Sequence, residues 1–150
     1  MKRFQFRLEK LLGLALSREK AAEADLAQAR RVEDEERRRL LGIEATLVRH
    51  LAAARDLERR PADVAEIKRH RDYLKKLGAD RDAQRRVVTA AEAVTAEKLT
   101  ALLAIRKERK SLENLKARRQ AEYVRQALAD EQKALDEVGG RRAAGRRTPA

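Results

Sequence analysis

The chain has 150 residues, 41% of them charged and 3% aromatic, with a formal net charge of +12. Two Tyr, two Phe and no Trp exclude a broad globular core, and the absence of cysteine excludes disulfides, thiolate metal sites and thiol catalysis. The apolar 43% is mostly Ala and Leu, accompanied by Glu, Lys, Arg and Gln, a composition that belongs to long helices and coiled coils.

The first helix is expected from about Phe4 to about Arg59. With Leu12 at heptad position a, the a and d positions are Leu12, Ala15, Glu19, Ala22, Leu26, Ala29, Glu33, Glu36, Leu40, Ile43, Leu47, His50, Ala54 and Leu57. Ten of these fourteen are apolar. A seven-residue repeat held this long requires a supercoiled partner helix. Gly13 and Gly42 interrupt it only as isolated glycines, each costing about 1 kcal/mol of helix propensity. At Arg60-Pro61 the pattern stops, because proline lacks an N–H and disfavours helix for the residue before it. Asp63 and Glu66 then form a D-x-x-E capping signal, so the second helix is expected from about Val64. A connection at residues 60–63 is too short for anything but an antiparallel return.

The second helix is expected to run to about Val138, where Gly139-Gly140 reads as a stop. One heptad frame takes in Ile67, Leu74, Leu77, Val88, Ala91, Leu102, Ile105 and Leu112; a second takes in Ala121, Val124, Leu128, Leu135 and Val138. The shift between Leu112 and Ala121 reads as a stutter or a change of partner. At 1.5 Å per residue the helices would be roughly 80 and 110 Å long. Folding back at Pro61 sets Leu47 near Leu74 and Leu8 near Leu112, which leaves about Leu115 to Val138 as an overhang without an intramolecular partner. The same register sets Glu33 and Glu36 opposite Arg81, Gln84 and Arg85, as a polar layer that fixes register or as a frayed, hydrated stretch of seam. Residues 139–150, with Arg141, Arg142, Arg146 and Arg147 among Gly and Ala, are expected to be a disordered basic tail. The fold class is therefore all-α: a long antiparallel two-helix coiled coil over residues 1–138 with an overhanging second helix.

Function classes can be weighed on the same residues. Neither His50 nor His70 has a ligand partner at i+4 that would make a zinc pair, no Gly-rich phosphate loop occurs, and there is no G-x-S-x-G motif. The expectation is a chain that is no enzyme and holds no metal or cofactor. Its carboxylates follow helix-surface spacing beside basic residues and read as solvated ion pairs. Basic runs at 68–71, 106–110 and 116–119 suit phosphate contacts, but acidic residues interleave them and aromatic stacking platforms are missing, so specific nucleic-acid binding is not expected. Without a 20-residue apolar run or a signal-peptide pattern, a soluble intracellular chain is expected.

At residues 4–12 the chain reads Phe4-Gln5-Phe6-Arg7-Leu8-Glu9-Lys10-Leu11-Leu12. This F-x-F-R-L-x-x-L-L segment, followed by an Ala/Glu/Arg-rich helix, resembles the FliJ family of flagellar type III export proteins. Glu113 to Tyr123 is similar to the family's E-x-L-K-x-R-R-x-x-x-Y stretch, and Glu131 to Glu137 to its end. The resemblance implies a component of the flagellar export apparatus, cytoplasmic and peripheral at the cytoplasmic face of the cell membrane. It would act as a stalk between the hexameric export ATPase and the export-gate membrane protein, and as an escort of export chaperones. It implies contacts to the ATPase from Phe4, Phe6, Arg7, Arg118, Arg119 and Tyr123, and to the gate from Tyr73, Leu74 and Leu77. Tyr73 falls off the expected seam, whereas Leu74 and Leu77 fall on it. Leu8 is expected to be structural, with Phe4 and Phe6 either exposed or stapling the first helix onto the second. The competing readings are a basic coiled coil associated with nucleic acid and the equivalent stalk of a virulence-type secretion system.

Overall fold

The computed structural model describes residues 3–145, with side chains to Arg141. Two helices account for most of them: α1, Glu9–Glu58, and α2, Val64–Gly145. They pack against each other antiparallel, and no strand occurs among the described residues. The chain divides into two units, one formed by residues 19–104 and one by residues 1–18 with 105–150.

The first unit holds the turn. α1 ends at Glu58, and the Arg59 amide closes a last tight bond onto the Asp56 carbonyl at 3.2 Å. Pro61 prevents continuation. Asp63 caps α2: its Oδ1 accepts from the Ala65 amide at 3.3 Å, and its carbonyl accepts from Glu66 and Ile67 at 3.0 and 3.1 Å. This satisfies donors that a helix N-terminus otherwise leaves to water. The Glu66 carboxylate lies 3.6 Å from Arg60, tying the connection to the first turn of α2.

The heptad frame read from the sequence is the buried frame. In α1 all fourteen a and d positions from Leu12 to Leu57 are buried or half-buried. In residues 19–104 the best-buried apolar residues are Leu26, Ala29, Leu77, Val88 and Leu102, the last only 3% exposed. Apolar residues alone do not fill α2's side of this seam. Arg81, Gln84 and Lys98 are half-buried there, laying their hydrocarbon stems on the seam while their polar heads reach its edge.

A polar layer crosses this seam in part as expected. Gln84 Nε2 donates to Glu36 Oε2 at 2.6 Å and to the Glu36 carbonyl at 3.1 Å. Glu33, buried to 9% exposure, pairs with Arg37 on its own helix at 2.7 Å, and Arg37 also reaches Glu92 at 2.7 Å. The hydrogen bond to Glu92 raises the Arg37 pKa above its ordinary value, with the Glu33 charge adding to it. Arg85 crosses to Glu44 at 2.9 Å, whereas Arg81 turns to its neighbour Asp82. One-residue slippage would separate Gln84 from both acceptors on Glu36, so the layer selects register. Its exposed ion pairs contribute little to stability.

The second unit differs from the sequence expectation at both chain ends. Residues 3–6 are not helical, and α1 begins at Glu9 instead of about Phe4. Phe4, Phe6 and Leu8 are half-buried while Arg3, Gln5 and Arg7 are exposed, the two-residue alternation of an extended segment packed on one side. The Glu9 amide donates to the Phe6 carbonyl at 3.1 Å and starts the helix. At the other end, α2 continues through Gly139 and Gly140 to Gly145. No described glycine has positive φ, so this pair does not form the left-handed cap that stops a helix; the Ala, Leu, Glu and Arg around it favour propagation. Of the expected tail, residues 139–145 are helical, and residues 146–150 lie outside the described residues.

Candidate functional site

In the unit formed by residues 1–18 and 105–150, an extended arm lies along α2. Phe4 meets Tyr123 with ring centroids 5.7 Å apart and planes tilted by 49°. The arm from Arg3 to Leu8 and the α2 face carrying Leu115, Arg119, Glu122, Tyr123 and Gln126 border an open groove. Those α2 residues recur at three- and four-residue intervals, which puts them on one side of the helix. At the end of the arm Glu9 accepts from Lys116 Nζ at 2.8 Å, and Leu12 and Ala15, each 6% exposed, anchor the first turns of α1.

Of the sequence-derived contact residues of this region, Phe4, Phe6, Arg7, Arg119 and Tyr123 border this groove, whereas Arg118 does not. Phe4, Phe6 and Tyr123 are half-buried and form the arm's apolar contact, so the stapling arrangement describes both phenylalanines. Arg7 points outward from the arm, and Arg118 and Arg119 are exposed on α2. Arg119 pairs with Glu122 one turn on at 3.2 Å. The result is an apolar patch rimmed by arginines, suited to an acidic, partly apolar protein surface.

Beyond the arm, the covered face and the apolar face of α2 separate. Tyr123 and Ala127 are half-buried, whereas Val124, Leu128, Leu135 and Val138 are 47%, 59%, 67% and 50% exposed. These four large apolar residues stand at the spacing of a heptad seam, and nothing among the described residues covers them. The change of frame read between Leu112 and Ala121 is a change of face.

The other expected contact residues lie in the unit of residues 19–104. Leu77 is buried at 8% exposure and Leu74 is half-buried, so both belong to the seam. Tyr73 is 41% exposed and turns edge-on to His50, with ring centroids 4.7 Å apart. His50 also meets His70 at 5.6 Å, and His70 Nε2 lies 2.9 Å from the His50 carbonyl. A carbonyl only accepts, so the proton sits on Nε2 in that contact. Sequence reading placed His50 in the seam and Tyr73 beside it without joining them. The signal was present: position 70 is the d partner of 50 across the turn, and Tyr73 follows it by three residues.

No group of three or more His, Cys, Asp or Glu among the described residues could hold a metal ion. No described helix is long and apolar enough to cross a membrane. What the arrangement offers is surface: an arginine-rimmed apolar patch, a bare apolar stripe and one exposed tyrosine beside a histidine pair. The chain matches the family described as Flagellar FliJ protein over residues 4–148. No curated protein and no solved structure matches it.

Proposed function

The chain belongs to the FliJ family of flagellar export proteins, and from that premise we propose that it acts as a stalk between the export ATPase ring and the export gate and escorts export chaperones. The observation that carries the reading is the end of the hairpin bearing the arm. There α2 runs on past the start of α1 with a bare apolar stripe, and Phe4, Phe6, Arg7, Arg118, Arg119 and Tyr123 gather on one unit. Arg7, Arg118 and Arg119 at the arm suit acidic loops of a ring, and the bare apolar stripe beyond them suits an apolar lumen wall. The chain would work in the cytoplasm, at the cytoplasmic face of the membrane that holds the gate. The gate contact is best assigned to Tyr73, because Leu74 and Leu77 hold the seam beneath it and Tyr73 alone of the three offers exposed aromatic surface.

The test is a pull-down against the cognate flagellar export ATPase, using the intact chain and a Phe4→Ala/Phe6→Ala variant, with circular dichroism on both. Binding by the intact chain and loss by the equally helical variant is the expected result. If the intact chain neither binds the ATPase nor changes its oligomeric state, the stalk reading fails.

A further inference from the structure

We propose that the stripe Val124, Leu128, Leu135 and Val138 is the seam of an antiparallel pairing between two copies of this chain. The stripe sits at heptad spacing, is roughly half or more exposed at every large residue, and is offset from the face that carries Tyr123 and the arm. A coiled-coil partner can therefore lie on it without displacing the arm.

Charge order selects a second copy, and selects its direction. The first half of this segment is net basic, with Lys116, Arg118, Arg119 and Arg125 against Glu122; the second half is net acidic, with Asp130, Glu131, Asp136 and Glu137 against Lys133. Laid antiparallel on itself, the segment puts each half against its opposite. Laid parallel, it puts like against like and sets Glu131, which lies in the stripe, directly against its own copy. With the two-fold axis at residue 126, Val124 packs on Leu128 of the second copy, Ala117 on Leu135, and Ala121 on Glu131, whose carboxylate reaches Gln120 beside it. Arg118 comes within reach of Asp136, which already accepts from Gln132 at 3.0 Å.

The pairing is modest in size. Twenty-five residues of contact, 114 to 138 about the axis at residue 126, at 1.5 Å per residue give a seam of roughly 38 Å. Its buried area is on the order of 1,000 Å², the low end for a specific interface. The pairing is therefore reversible, forms in the micromolar range, and covers the stripe in the free chain. It stands on the free chain's own surface and is independent of what the export ATPase does.

Sedimentation of the full chain from about 1 to about 200 μM spans that range and should show a monomer–dimer equilibrium. Leu128→Lys should weaken it by at least about tenfold, since it sets a charge in a desolvated layer. Arg118→Asp and Asp136→Arg should each weaken it about threefold or more, and the two together in one chain should restore it. All of these positions are exposed, so helical content should not change, which circular dichroism checks. The chain has no cysteine, so a spin label at Gly140→Cys reports direction, and a Cβ there meets nothing within 4 Å. Antiparallel pairing sets the two labels roughly 40 Å apart and parallel pairing roughly 20 Å. A monomer across the whole range, dimers indifferent to Leu128→Lys, a double charge swap that does not restore association, or a short label distance would each overturn the proposal.

Discussion

Leu102 and Leu103 are neighbours of identical chemistry with opposite surroundings, 3% and 54% exposed. Truncating each to Ala removes the same atoms and leaves a good helix former behind, so helix propensity nearly cancels from the comparison. At Leu102 about three methylene equivalents leave a buried seam at about 0.8 kcal/mol each, a loss of about 2.4 kcal/mol. The cavity contribution is small, because two helices can close over a gap more easily than a globular core can, so the total should be about 2–3 kcal/mol, the low end for buried leucine. At Leu103 the removed atoms already face water over half their surface, and the loss should stay below about 1 kcal/mol. Urea unfolding followed by circular dichroism measures both, with the slope expected to be equal so that the midpoints carry the difference. Equal losses, or a larger loss at Leu103, would refute the buried frame.

The Gln84–Glu36 contact should behave as a coupled pair: a double-mutant cycle to Ala should give about 0.5–1.5 kcal/mol of coupling, measured by the same unfolding assay. Asp63→Ala removes the cap of α2 and should cost about 1 kcal/mol, with amide hydrogen exchange rising first at Ala65 and Glu66. Gly42 lies inside α1 with no positive φ and nothing within 4 Å of an added Cβ. Gly42→Ala should therefore stabilise the chain by up to about 1 kcal/mol, seen as a higher Tm. Phe4→Ala should lose about 1 kcal/mol of aromatic pairing and change the fluorescence of Tyr123, while the Tyr73 signal stays as it was.

Much of this protein is written locally. The seven-residue repeat from Leu12 to Leu57 determined the buried face of α1, because a narrow stripe on a long charged helix can bury itself in only one way. Pro61, Asp63 and Glu66 determined the turn, since a missing N–H and a capping carboxylate act within one helical turn of themselves. Short connection and seam together determined that the helices run antiparallel and that Glu36 meets Gln84. Tertiary structure decided the rest. Phe4, Phe6 and Leu8 carry a two-residue period that also fits the start of a helix, and their packing against α2 at Tyr123 resolves it as an extended arm. Gly139-Gly140 permits either a stop or a continuation, and only the backbone it adopts decides between them. His50, His70 and Tyr73 form one cluster because the return of α2 brings them together, something no single helix encodes. The apolar stripe from Val124 to Val138 was legible as a stripe, but that α1 leaves it bare follows from where α1 begins, and that is fixed by a contact between residues more than a hundred positions apart.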